Sequence, residues 1–305
     1  LLATRSPVVL CPAMHTEMWE HPAVQRNVST LQSWGVHVVQ PDEGRLAGGD
    51  IGRGRLASAD TIVAEVQRAV SPGDLAGLNV LITAGGTREA IDPVRVISNR
   101  STGKQGYALA AEASSRGASV TLVSTVDREA HPGVAVVPAE SAADMERVVV
   151  PLAQAADVVV MAAAVADFRP TNVADHKIKK ADAVECIALE ATHDFLVDLG
   201  RDKPAGQTLV GFAAETENLE ANARGKLEAK RLDLIVANDV SMDGAGFGHD
   251  TNEVLILDRT GELLVPMANK RTIAKAVFDA VLDTRGSDPA ATDPAPSTTR
   301  EVREK

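Results

Sequence analysis

An α/β protein whose main part is a parallel-rich sheet covered by helices is what this sequence predicts, on three observations. Short runs of Val, Ile and Leu recur down the chain, most of them apolar at every position. Strands buried on both faces of a parallel sheet read that way. Segments of helical spacing lie between those runs, the alternation of a βαβ series. At 305 residues, 45% hydrophobic and 24% charged, the chain has a globular composition and exceeds the roughly 250 residues at which one core tends to divide. Two domains are therefore expected.

Taken in order, residues 6–10 open as a strand. His21 and Pro22 begin a helix with Pro at its first position, and Gly35 closes it. Residues 36–39 form a second short strand, giving a β-α-β piece. The Gly-rich stretch 43–54 reads as a loop before a helix that ends near Val70, and residues 71–74 (Ser-Pro-Gly-Asp) read as a linker. Strands are then expected at 79–83, 119–124, 134–137, 157–161, 208–212, 233–236 and 253–257. Helices fit at 103–116, 142–155, 194–200, 219–231 and 269–283. Beyond them Pro, Ser, Thr and Asp dominate without periodicity, so residues 286–305 are expected to be a disordered tail.

Composition removes several function classes. Asp and Glu number 42 against 31 Lys and Arg, a formal charge of −11, and only five Phe, two Trp and one Tyr are present. Neither an attractive field nor stacking platforms for nucleic acid follow from that. The longest apolar run, residues 158–166, is nine residues, about half of what a membrane span needs. With no signal-peptide pattern the chain reads as cytoplasmic. Cys11 and Cys186 fit no metal spacing and are expected as buried thiols.

Open α/β sheets bind ligands at the carboxyl ends of their strands. After the strand at 79–83 the glycines are 85, 86, 103 and 106, which is neither a dinucleotide turn nor a Walker loop. The connection is nearly 20 residues long where two to six are usual. It ends on Asn99, Ser101 and Thr102, just before a helix start at Gly103. Free amides and small polar groups there suit phosphates, although either hydroxyl alone is explained by capping. Met161, Ala162 and Ala163 end another strand and let a planar ring approach the backbone, with Asp167 as an acceptor; close helix packing explains the alanines equally. Lys177, Lys179 and Lys180 lie in a loop. Lys226 and Lys230 share one helix face, and Glu228 points elsewhere. Several ammonium groups around one sheet end in an acidic protein suit a triphosphate. Phe212 either packs in the core or meets a base, and Asp194 is an N-cap by default.

Taken jointly, several segments resemble the phosphopantothenate-cysteine ligase family of coenzyme A synthesis. They are ITAGGTREAIDPVR at 82–95, ISNRSTGK at 97–104, AAAVADFRP at 162–170, KIKK at 177–180, VGFAAET at 210–216, KLEAK at 226–230 and LIVAND at 234–239. They cover residues 75–283 in order. Upstream, PAMHTEMW at 12–19 is similar to the Pro-x-Met-Asn-x-x-Met-Trp signature of the flavin-dependent phosphopantothenoylcysteine decarboxylase, which bacteria fuse ahead of the ligase.

The resemblance implies a Rossmann-like three-layer ligase domain at 75–285, complete, behind a flavoprotein-type C-terminal remnant of the decarboxylase at 1–70. It implies that CTP activates 4'-phosphopantothenate as an acyl-cytidylate with loss of pyrophosphate, and that the L-cysteine amine then displaces CMP. Asn99 and Lys177 are the catalytic residues it implies. For CTP it implies Ser101, Met161, Ala162, Ala163, Asp167, His193, Asp194, Phe195, Leu196, Phe212, Lys226 and Lys230, with Mg²⁺ riding on the triphosphate and no protein ligand assignable. A homodimer of the ligase domain is implied, with a larger homo-oligomer for the fusion. FMN belongs to the truncated decarboxylase half alone. Three positions depart from the family pattern: His193 where Pro is frequent, His15 for Asn, and Gly48 where many relatives carry a catalytic Cys. The other readings are a nicotinamide oxidoreductase on a similar sheet and a non-catalytic assembly module.

Overall fold

The computed structural model describes residues 3–179, 186–240, 246 and 248–287. Lys180 and the expected tail beyond 287 lie outside the described residues. The elements are β1 (Val9–Leu10), α1 (Thr16–Trp19), α2 (Pro22–Ser33), β2 (His37–Val38), β3 (Asp42–Arg45), β4 (Ile51–Arg55), α3 (Ala59–Val70), β5 (Asn79–Ala84), β6 (Arg88–Ala90), β7 (Val96–Ser98), α4 (Lys104–Ser115) and β8 (Ser119–Ser124). They continue as β9 (Val134–Pro138), α5 (Ala142–Ala153), β10 (Val158–Met161), β11 (Phe168–Pro170), β12 (Leu189–Ala191), α6 (Phe195–Arg201), β13 (Thr208–Glu215), α7 (Leu219–Ala229), β14 (Leu234–Asp239), β15 (Thr251–Leu257), β16 (Glu262–Asn269) and α8 (Lys270–Ser287).

By its contacts the chain divides into two compact units. The first comprises Leu1–Leu78 with Ala110–Val120 and Arg128–Ala135; the second comprises the rest. In the first, β1 pairs with β2 in parallel, the expected β-α-β piece. The segment 43–54, expected as a loop, is instead an antiparallel hairpin of β3 and β4. Gly54 sits at φ 148°, and a Cβ there would meet the Met14 carbonyl, so only glycine lets this strand close on the chain before α1.

The second unit carries the functional end of an eight-stranded sheet in the order β16-β15-β14-β13-β10-β5-β8-β9. Pairings β5–β10, β10–β13 and β13–β14 are parallel, as the apolar runs predict. The strand at 253–257, read as part of the same series, runs antiparallel to β14, and β16 continues antiparallel to it. On one face Leu81, Val159, Leu209 and Ile235 meet Met145 and Val149 of α5, Phe195 and Leu199 of α6, and Ala223 and Leu227 of α7. The alternate residues Ile82, Val160, Val210 and Val236 are also buried and point to the opposite face, with α8 against β15 and β16. That is the expected three-layer arrangement.

Two expectations on side chains need correcting. Cys11 is half-buried and Cys186 exposed, so neither is a core thiol. Asp194 holds the N-cap position of α6 but makes no capping hydrogen bond, because its carboxylate is engaged elsewhere. Among the described residues no helix is long and apolar enough to cross a membrane.

Candidate active site

Chain order reverses between β5 and β10. After β5 the sheet grows toward β8 and β9, and after β10 it grows toward β13 and β14. The crevice outside the carboxyl ends at such a switch point is where open α/β sheets hold ligands. The residues around this crevice belong to the second unit.

Two turns leave the sheet side by side there. Gly85, at φ 92°, has no room for a Cβ beside Thr125, and from it the backbone continues next to the 162–166 segment. The Ala164 amide donates to the Gly85 carbonyl at 2.8 Å, and the Thr87 amide donates to the Ala164 carbonyl at 3.2 Å. Two threonine hydroxyls lock the pair: Thr83 Oγ1 accepts from the Ala163 amide at 3.0 Å, and Thr87 Oγ1 from the Ala166 amide at 2.9 Å. The long connection is a β6–β7 hairpin that returns Asn99 to this point. Its Nδ2 donates to the Ala164 carbonyl at 3.1 Å and reaches the Val165 carbonyl at 3.4 Å.

A cleft of about 850 Å³ opens here, a volume suited to a nucleotide with a second small substrate. Among the implied residues its lining includes Asn99, Met161, Ala163, Asp167, His193, Asp194, Phe195, Leu196, Phe212, Lys226 and Lys230. Met161 and Phe195 are buried and make its floor. Ser101 and Ala162 line a smaller recess of about 100 Å³, which shares Ala163, Ala164, Phe212 and Gly246 with the cleft. The structure thus brings residues from segments more than 100 residues apart around two adjoining spaces.

Its electrostatics are those of cations held in reserve. Lys226 Nζ pairs with Glu215 Oε1 at 2.6 Å, and Lys230 Nζ with Asp194 Oδ2 at 2.7 Å. His193 lies between two carboxylates, with Nδ1 2.8 Å from Glu146 and Nε2 2.9 Å from Asp198. The hydrogen bond that His193 donates to Glu146, the charge of that carboxylate, and the charges of Asp198 and Asp194 push the imidazole above its usual range against the opposing effect of burial. The ring is therefore biased toward its cationic form, bridging α5 and α6.

Lys177 stands apart. It is exposed and is not among the residues lining either space. The next residue fixes its loop: the Ile178 amide donates to Asp92 Oδ2 at 3.1 Å, and Arg95 donates to the Ile178 carbonyl. Burial opposes ionisation of Asp92, yet the amides of Val94, Ile178 and Arg95, with the Arg95 guanidinium, hold its carboxyl below the usual range.

Sequence reasoning missed Lys104, Gln105, Asn238, Asn252 and Lys270, all of which line the recess. Lys104 lay inside a quoted motif. Lys270 begins α8 directly after β16, a strand that the sequence reading did not anticipate, and so carried no signal. Among the described residues no cluster of three or more His, Cys, Asp or Glu is arranged to hold a metal.

Comparison with known proteins agrees with this architecture. Residues 75–284 match the family model for the DNA/pantothenate metabolism flavoprotein C-terminal domain, and residues 1–71 match the flavoprotein family model. The coenzyme A biosynthesis bifunctional protein CoaBC of Bacillus subtilis is 50% identical over 287 residues, covering 92% of this chain and 70% of that protein. A cysteine/cysteine sulfinic acid decarboxylase from an unknown prokaryotic organism is 43% identical over 86% of this chain and 75% of its own length. The crystal structure of the C-terminal domain of a CoaBC bifunctional protein superposes with TM-score 0.61 at 39% identity, covering 71% of this chain and all of that one. By a family model spanning more than two thirds of its length, and by a relative identical at half of the aligned positions, the chain belongs to the DNA/pantothenate metabolism flavoprotein family, with a flavoprotein segment ahead of the C-terminal domain.

Proposed function

We propose that this chain carries a CTP-dependent phosphopantothenate-cysteine ligase in residues 75–285, joined through residues 71–74 to a decarboxylase segment at 1–70. The observation that carries the reading is the single cleft at the switch point. It holds an asparagine amide and two lysines from separate segments around a space of nucleotide size. The relatives named for coenzyme A biosynthesis support the same chemistry.

In the first step a carboxylate oxygen of 4'-phosphopantothenate attacks the α-phosphorus of CTP. The bond to the β-phosphate breaks, pyrophosphate leaves, and the acyl-cytidylate remains. In the second, the cysteine nitrogen attacks the acyl carbon, the acyl–oxygen bond to CMP breaks, and the amine gives up a proton as the amide forms. Both steps build negative charge on oxygens, so positioned donors and cations are what the protein must supply. Lys226 and Lys230 meet the triphosphate by exchanging Glu215 and Asp194 for phosphate oxygens. Asn99 turns its weaker contact, that to Val165, toward the reacting carboxyl oxygen. Phe212 and the Ala162–Ala163 backbone hold the base with Asp167 as an acceptor. Lys177 serves the intermediate.

Mg²⁺, if it accompanies CTP, would be carried mainly by the nucleotide and would neutralise triphosphate charge, since among the described residues no cluster of three or more His, Cys, Asp or Glu is arranged to hold a metal. Flavin chemistry belongs to residues 1–71, the part that matches the flavoprotein family. There Thr16 Oγ1 is buried against Gly52, and His15 Nδ1 lies 3.8 Å from Asp50 Oδ2. No step of the ligation depends on them. The ligase domain works as a homodimer. A nicotinamide oxidoreductase gains nothing from the turn at Gly85, which lacks the glycine spacing of a dinucleotide site.

The test is pyrophosphate release from CTP. Release that requires phosphopantothenate, with CMP and the cysteine adduct formed on adding cysteine, is the expected result. Equal release with ATP, or release without the acid, contradicts the assignment.

A further inference from the structure

Lys270 is 8% exposed. Its ammonium finds one hydrogen-bond acceptor among the described residues, the Gly246 carbonyl at 3.4 Å, and no carboxylate among them within ion-pair distance. Buried lysines are seldom left so weakly compensated. Among the described residues, the charged groups that face it are Lys104 on α4, which repels it, and Asp250, which attracts it. Asp250 is already bound to Lys104 at 2.6 Å. Burial first, then Lys104, lower the tendency of Lys270 to hold its proton, against the pull of Asp250.

The recess that Lys270 lines is otherwise built for an acceptor-rich guest. Ser101, Thr102 and Gly103 lead into α4, a helix of 12 residues whose first amides have no intrahelical partner. Gln105 Nε2 donates to the Lys270 carbonyl at 3.2 Å, which fixes the two elements together. About 100 Å³ is several times the room one water needs. Among the described residues, two lysines, a helix start and one exposed carboxylate leave this corner short of negative charge.

We propose that Lys270 is a phosphate-binding residue, its buried ammonium neutralising a phosphoryl group seated in the recess between the starts of α4 and α8. The proposal rests on the ligase reading only for the source of that group, which is either the nucleotide's polyphosphate or the phosphate of the acid. An anion beside Lys270 stabilises its charged form, so binding takes up a proton wherever free Lys270 is partly neutral. Affinity therefore falls as pH rises through the depressed range of the free lysine.

The experiment is calorimetric titration of the full chain with inorganic tripolyphosphate between pH 7 and 9.5, in buffers of differing ionisation enthalpy, on wild type, Lys270→Met and Lys270→Arg. Expected are a loss of about tenfold to a hundredfold in affinity for Lys270→Met and near-retention for Lys270→Arg. Proton uptake in excess of the free ligand's own is expected in wild type and in neither variant, since a guanidinium keeps its charge. Repeating the titration with CTP, CMP and 4'-phosphopantothenate assigns the source by which ligand loses affinity. Unchanged tripolyphosphate affinity and proton uptake in Lys270→Met overturn the proposal. If that variant does not fold, wild-type uptake equal to that of Lys270→Arg does so. Because tripolyphosphate is neither substrate nor product of the ligation, failure of the CTP assignment leaves this result readable.

Discussion

The side-chain amide of Asn99 donates to the main-chain carbonyl of Ala164 at 3.1 Å, joining two turns 65 residues apart at the carboxyl ends of adjacent strands. The same carbonyl accepts from Thr87, so one oxygen organises both turns. Asn99 is thereby a strut, and under the proposed function it is also the source of a donor for the reaction. Asn99→Asp replaces the donor with an acceptor facing two carbonyls and a developing oxyanion. We expect pyrophosphate release to fall about 100-fold to 1,000-fold. Circular dichroism should stay native, since the Thr83 and Thr87 bonds to the same segment remain. A rate within twofold of wild type contradicts the role.

The lysine pair offers a second expectation. Lys226→Ala and Lys230→Ala should each weaken CTP about tenfold or more and CMP much less, because an ammonium recognises phosphate charge and not the base. The carboxylate partners refine this. Asp194→Asn releases Lys230 from its 2.7 Å ion pair, so CTP should bind more tightly at low salt. Both effects should shrink as salt shortens the reach of exposed charges to about 8 to 10 Å. Equal losses for CTP and CMP in the alanine variants place these lysines away from the triphosphate.

Much of this was legible beforehand, for identifiable reasons. β5, β10, β13 and β14 lie in the interior of the sheet, and burial on both faces writes itself as an unbroken apolar run. Lys226 and Lys230 were legible as a pair because a helix repeats its face every four residues. β16 was not: it is an edge strand with Leu263 and Leu264 both exposed and a Pro within it, so it shows neither alternation nor continuity. Lys270 inherited that blindness. The hairpins β6–β7 and β11–β12 have three residues per strand, too few for any period to register.

His193 gives a pH dependence with a definite sign. Its conjugate acid is favoured in the folded chain, foremost by the Glu146 hydrogen bond, so its folded value lies above the ordinary 6.5. The stabilisation is therefore complete below about pH 6 and disappears as pH rises through the elevated folded value. Proton NMR should place the His193 titration above 6.5. His193→Gln should flatten the fall of melting temperature that begins as pH rises above about 6. Parallel pH profiles of melting for wild type and variant contradict the bridge.

Removal of the first segment tests where the ligase domain begins. Within the first unit, Arg116 is 3% exposed and its guanidinium is paired with Asp74 through Nε at 2.8 Å and NH2 at 2.7 Å. The Leu75 amide also donates to the Arg116 carbonyl at 3.2 Å. Asp74 is therefore anchored to the end of α4, on its C-terminal side in the chain, although its Ser-Pro-Gly-Asp setting reads as linker. A chain beginning at residue 74 should keep this bidentate pair, sediment as a dimer and ligate at the full-length rate. Asp74→Ala in the full-length chain should cost about 2–3 kcal/mol, below the 3–5 kcal/mol of a fully buried pair because Asp74 retains solvent contact and Glu112 lies 3.9 Å from Arg116. For a domain near 200 residues that corresponds to a melting temperature lower by about 4 to 12 °C. A melting temperature unchanged in Asp74→Ala contradicts the anchoring role of the pair. A fully active monomer beginning at residue 74 contradicts the dimer.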